Sequence, residues 1–200
     1  MFNIPNYRPN WYTTTVEVWQ DAQLIQQLQS LQHQIISEGI VMWDIYYDEH
    51  RTGAPFLLQL TDHQLEIYCY KLEHMAITLD RIDRTLPLEI LDLEELGTFT
   101  YEWRNYASFT EQFKGAKMTS LWIEEYGFKT VVIDNKEFPE ENGTMHFAWL
   151  LNGVYIATDK GDFSVYNGLD ETYILFGDGL EYERLHDPNP VRRTLVFGAD

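Results

Sequence analysis

The chain has 200 residues, 44% apolar and 15% aromatic, enough for a packed core and too apolar for a disordered segment. Its 32 acids against 14 bases give a net charge of −18, a surface that repels nucleic acid and anionic lipid and draws basic proteins. The longest unbroken apolar run, 147–151 (FAWLL), is too short to cross a bilayer, and a single cysteine excludes an internal disulfide framework.

Residues 1–12 are rich in Pro and Asn and carry Tyr7, Trp11 and Tyr12, which predicts an extended arm pinned by its aromatics. The arm lacks the apolar stretch and small-residue site of a signal peptide, so a cytoplasmic location is expected. The β-branched alternation of 13–19 (TTTVEVW) predicts a strand. From 21 to 38, Leu24, Ile25, Leu28, Leu31, Ile35 and Ile36 recur at helical spacing, with Asp21 as N-cap and Gly39 as the stop. The opposite face of that helix is rich in glutamine, a good helix former, and reads as a solvated face; a contact surface for a second copy of the chain or another partner is the alternative.

Strands are predicted over 40–47, 56–60, 65–71 and 75–82, the second and third forming a hairpin. A short acidic helix is predicted over 88–96, a strand over 99–103, and a second amphipathic helix over 105–118 with Tyr106, Phe109 and Phe113 on one stripe. Strands over 120–123 and 129–133 and an acidic loop over 137–143 lead into 144–185, a succession of short strands punctuated by turn residues. There, Asn152-Gly153 between two apolar runs predicts a two-residue type I′ hairpin, and Asp159-Lys160-Gly161-Asp162, Asn167-Gly168 and Gly177-Asp178-Gly179 mark further turns. A last strand is predicted over 192–197.

The pattern predicts an α+β fold: a mostly antiparallel sheet with a C-terminal β-meander and two amphipathic helices packed on one face. No Gly/Ser- or Pro-rich linker interrupts the middle of the chain, which favours a single domain over 1–200; a two-lobed division into 1–100 and 101–200 is the alternative.

Catalytic patterns are scarce. Gly177-Asp178-Gly179 precedes neither a Lys-Ser pair nor a capped helix, so no phosphate cradle is formed, and no Gly-x-Ser-x-Gly elbow exists. Cys69 lies in LEIYCYK among apolar neighbours, where burial raises a thiol's pKa, the wrong direction for a nucleophile. The groupings Asp48-Glu49-His50 and His63-x-x-Glu66 with His74 read as turn chemistry rather than a metal site, and no cofactor is expected. Glu94-Glu95, Glu124-Glu125 and Glu140-Glu141 are sequence neighbours, and adjacent positions on a regular strand or helix point apart. A hydrolase or transferase site assembled from scattered carboxylates and histidines is therefore the alternative, not the leading reading.

Acids interleave with aromatics in Asp44-Ile45-Tyr46-Tyr47-Asp48, Tyr101-Glu102-Trp103, Glu124-Glu125-Tyr126 and Glu181-Tyr182-Glu183. Tyr and Trp anchor interfaces, and acids around them select a Lys/Arg-rich partner. Between 137 and 187 there are 11 acids against Lys160 and Arg184. The binding residues expected are Glu124, Glu125, Tyr126, Asp162, Asp178, Glu181, Tyr182 and Glu183. In size, charge and aromatic content the chain is similar to small acidic inhibitor or immunity proteins, though no motif carries individual residues over. The resemblance implies a basic toxin or nuclease as partner, with no direct nucleic-acid or membrane contact. A DNA mimic, with carboxylates spaced like phosphates, is a further alternative.

Overall fold

The computed structural model describes residues 4–71, 74–92, 97–132, 144–168, 171–177 and 190–198. Two helices, α1 (Thr15–Gln20) and α2 (Ala22–Gln29), precede β1 (Ile36–Asp44), β2 (Glu49–His50), β3 (Phe56–Leu60), β4 (Gln64–Tyr70), β5 (His74–Leu79), β6 (Leu88–Asp92) and β7 (Gly97–Asn105). Then come α3 (Ala107–Phe113), β8 (Met118–Val132), β9 (Thr144–Thr158), β10 (Gly161–Asn167), β11 (Thr172–Phe176) and β12 (Val191–Phe197). The strands form two antiparallel sheets. One runs β5-β4-β3-β1-β7-β6 with β2 attached to β1, and the other runs β11-β10-β9-β8-β12. The second contains the predicted C-terminal meander, with β12 returning beside β8.

The sheets share one apolar core. Leu58, Ile67 and Ile77 reach it from the first sheet, and Ile123, Val154, Ile156 and Val165 from the second. Val18, Leu28, Phe109 and Phe113 bring all three helices into the same cluster. The opposite face of the first sheet is covered by the N-terminal arm, whose Ile4 and Tyr7 pack with Ile40, Met42, Leu57 and Tyr68. The arm is tied to the sheet edge by a reciprocal pair, Tyr12 N–H to Met75 O at 2.8 Å and Met75 N–H to Tyr12 O at 2.9 Å.

Five predicted features come out differently. Residues 13–19 do not form a strand. Thr14 and Glu17 make a capping box, with Glu17 N–H donating to Thr14 Oγ1 at 3.3 Å and Thr14 N–H to Glu17 Oε2 at 3.3 Å, and this reciprocal cap starts α1 despite its β-branched residues. The helix expected over 21–38 does begin at the Asp21 cap, Leu24 N–H to Asp21 Oδ1 at 3.0 Å, but ends at Gln29. His33 turns the chain at φ 72°, and Ile36 enters β1. Gly39 is not a helix stop. It lies in β1 where Phe109 of α3 sits on the strand, and a Cβ there would stand 2.4 Å from Phe109 Cδ1.

The acidic helix predicted at 88–96 is strand β6 over its described part, because Leu88, Ile90 and Asp92 find register partners Tyr101, Phe99 and Gly97 on β7. The two strands predicted at 120–123 and 129–133 are one continuous strand, β8, paired with β9 along its length. Asn152-Gly153 is not a hairpin turn but a bulge within β9. Glu124 pairs with Gly153 and Glu125 with Leu151, leaving Asn152 as the extra residue. Gly153 is required there, since a Cβ would approach Val165 O to 2.9 Å. The hairpin turn is at Asp159-Lys160, where Gly161 pairs with Thr158 at φ 121°.

Candidate functional site

The neighbouring acids Glu124 and Glu125 stand on β8 at the level of the β9 bulge. The β8–β12 ladder is regular here, so the two neighbours alternate across the sheet, and each has its own register partner on β12, Glu124 opposite Arg193 and Glu125 opposite Arg192. Arg193 Nε donates to Glu124 Oε1 at 2.7 Å and Ser164 Oγ donates to Glu124 Oε2 at 2.6 Å. Arg192 Nε donates to Glu125 Oε2, and Thr15 N–H reaches Glu125 Oε1 at 3.4 Å. Each guanidinium also lies over a ring, Arg193 at 3.9 Å from the Tyr155 centroid and Arg192 at 4.5 Å from that of Trp149. Both glutamates are buried. Burial pushes the Glu125 carboxyl up, but Arg192 and Thr15 outweigh it and hold it below its ordinary range.

These two carboxylates, expected among the binding residues, are thus internal ion pairs between β8 and β12. Tyr126 is half-buried on the same strand, opposite Val191. Asp162 accepts from the Tyr155 hydroxyl and ties the β9–β10 turn to the sheet. Asp178, Glu181, Tyr182 and Glu183 lie outside the described residues. The other described acids of the meander are engaged as well: Asp159 Oδ1 accepts from Lys117 N–H at 2.9 Å, and Glu171 Oε2 from the Tyr173 hydroxyl at 2.6 Å.

The local groupings weighed for chemistry come apart in space. Cys69 is fully buried and burial pushes its thiol up to about 12. His63 Nδ1 pairs with Asp80 Oδ2 at 2.7 Å. Glu66, completely buried, is held by Gln64 Nε2, Thr78 Oγ1, Arg81 N–H and Ile82 N–H at 2.5–3.1 Å. Burial pushes the carboxyl of Glu66 up despite those four donors. Burial likewise holds His50 below its ordinary value, where it packs against Tyr106. Among the described residues no three His, Cys, Asp or Glu side chains group as metal ligands.

What the structure does present to solvent is the turn between β1 and β2. Ile45 is 43% exposed, Tyr46 76% and Tyr47 53%. Asp48 and Glu49 continue the exposed run. The turn is built from inside. Asp44, fully buried, accepts from Tyr46 N–H at 2.9 Å and Tyr47 N–H at 3.1 Å through Oδ1, while Arg51 Nε stands 3.9 Å from Oδ2. Asp48 takes a left-handed conformation, φ 52°, and its Oδ1 accepts from Trp43 Nε1 at 2.9 Å and Arg104 Nη1 at 3.2 Å. Those two donors, the Trp43 indole first, hold the Asp48 carboxyl below its ordinary range. The rings of Tyr46 and Tyr47 meet edge-to-face at 4.8 Å. This is a preformed tip with aliphatic, aromatic and acidic groups side by side. It belongs to the acid–aromatic segments legible in the sequence but was not among the expected binding residues. The signal that marks it is an apolar-aromatic run extending past the strand's last inward-facing residue.

No family model, curated protein or solved structure matches the chain. Among the described residues no helix is long and apolar enough to cross a membrane.

Proposed function

We propose that the protein is an acidic protein-binding protein that captures a basic partner through the β1–β2 tip, in the manner of an immunity or inhibitor protein directed at a basic toxin or nuclease. The observation that carries this reading is the exposure of Ile45, Tyr46 and Tyr47 on a turn fixed by buried Asp44. Exposed rings on a rigid turn contribute contact area with little conformational entropy left to lose. The field of a chain at −18 speeds encounter with a positively charged surface. Asp48 and Glu49 stand beside the rings, each with one oxygen on an arginine of this chain, Arg104 and Arg51, and the second oxygen left to receive a partner's Lys or Arg.

The test is affinity capture from the source cell's lysate with the wild-type chain and with a Y46S/Y47S/D48K variant, followed by reconstitution with the captured protein. A stoichiometric basic protein that is retained by the wild type, released by salt and lost by the variant supports the reading. Equal retention by both moves the contact away from the tip. Retention of nothing basic refutes the class of partner.

A further inference from the structure

A different place in the molecule carries an independent inference. Between α1 and the β8–β12 ladder lies an open hollow of about 440 Å³, within the size range of small-molecule sites. Thr15, Trp19 and Gln20 line it from α1, Glu125 from β8, and Arg192 and Thr194 from β12. Trp19 remains 36% exposed at its edge and Val16 60%, although Val18 between them is fully buried in the core. The Thr15 hydroxyl is buried in the wall without a hydrogen-bond partner.

Charge decides what the hollow can accept. Its charged groups are Glu125 and Arg192, which neutralise each other. Both oxygens of Glu125 already accept, from Arg192 and from the Thr15 amide, so a cation finds no open carboxylate. An anion would meet a guanidinium already paired, inside the field of a molecule at −18. The remaining lining is neutral and mostly apolar, Val16 and the indole of Trp19, with the Thr194 and Gln20 side chains as its polar members; the buried Thr15 hydroxyl lies behind it. The outer amino groups of Arg192 have no hydrogen bond to a described residue. A few uncharged or paired polar groups next to one aromatic plate suit a ligand with a hydroxyl edge and an apolar C–H face.

We infer that this hollow binds a neutral pyranose sugar of mono- or disaccharide size, its C–H face on Trp19 and its hydroxyls toward Gln20, Arg192 and Thr194. The test is a titration of the full chain with neutral glucose- and galactose-based mono- and disaccharides, followed through the indole N–H resonances, with that of Trp19 assigned from the W19F variant. The expected result is a saturable shift at the Trp19 resonance for at least one sugar. Affinity should fall at least about tenfold in T194V, whose shape is conserved, and disappear in W19A. Trp19 is outside the core, so an unchanged melting curve separates loss of the site from loss of the fold. No saturable response to any neutral sugar, or a response retained in W19A, overturns the assignment. Tighter binding of glucuronate than of glucose overturns the charge argument.

Discussion

Replacing Glu66 tests the physics of the covered face of the first sheet. Its carboxylate is completely buried beneath the N-terminal arm with no cation paired to it among the described residues, and burial raises its pKa. Three donors converge on Oε1: Gln64 Nε2 at 2.9 Å, Arg81 N–H at 2.8 Å and Ile82 N–H at 3.1 Å. Only Thr78 Oγ1 bonds Oε2, at 2.5 Å, and the Thr78 oxygen also lies 3.1 Å from the Tyr7 hydroxyl. A glutamine can keep its oxygen at the three-donor end and turn its NH2 to Thr78, whose hydroxyl proton then rotates toward Tyr7. Glu66→Gln therefore keeps every bond while removing a desolvated charge, and its stability is expected within about 1 kcal/mol of the wild type at pH 7. Glu66→Leu leaves three donors without an acceptor. At about 1–3 kcal/mol for each orphaned group, partly offset by apolar burial, the expected loss is about 3–5 kcal/mol.

The pH dependence gives the sharper reading. The folded pKa lies above the ordinary value of 4.5, so the native state holds its proton more tightly than the unfolded chain. The contribution is fully present below about pH 4.5 and is lost as pH rises through the raised folded value. Urea unfolding followed by tryptophan fluorescence from pH 4 to pH 8 should show the wild type losing ground to Glu66→Gln as pH increases. A wild type that gains on the glutamine variant over that range would refute the reasoning, because it would mean that the four donors outweigh desolvation.

Other substitutions test other parts of the fold. Gly39→Ala places a methyl 2.4 Å from Phe109 Cδ1, a ring with no room to move in the core, and should cost about 1–3 kcal/mol, read as a lower Tm; an unchanged or higher Tm would contradict the close packing of α3 on β1. Arg193→Met leaves the buried Glu124 carboxylate with only Ser164, and should destabilise by about 3 kcal/mol in urea, at the lower end for a buried pair because the guanidinium is one-third exposed. A neutral result would show that the pair does not hold β12. Cys69 should resist a thiol-specific reagent in the native protein and react at once in denaturant, since its thiol is buried and shifted up to about 12; fast native labelling would contradict that burial.

Much of this architecture is legible in residue order. The Asp21 cap, the hairpin of β3 and β4, strands β5, β7 and β12, the Phe109–Phe113 stripe and the antiparallel C-terminal meander all follow from local periodicity and turn residues. So does the arm anchored through Tyr7 and Tyr12, because rings in an otherwise polar segment need a surface to cover. Two of the misreadings, at 31–36 and 88–92, share one cause. Residues 31–36 continue the helical stripe of α2, yet Ile36 exchanges hydrogen bonds with Ala116 N-terminal to β8 and with Gly115, partners some 80 positions away that no local window contains. Residues 88–92 have the composition of an acidic helix and become a strand because β7 offers a paired edge.

The sequence by itself determined the charge of −18, the antiparallel class and the acid–aromatic segments from which any binding surface must be drawn. Tertiary structure alone decided which acids are available. Glu124 and Glu125 are withdrawn into ion pairs because β12 returns beside β8 in a register that sets each opposite an arginine. Tyr46 and Tyr47 stand in solvent because a buried Asp44 caps the turn beneath them. Strand alternation assigns a face only once the register is known, and register is a property of two strands together.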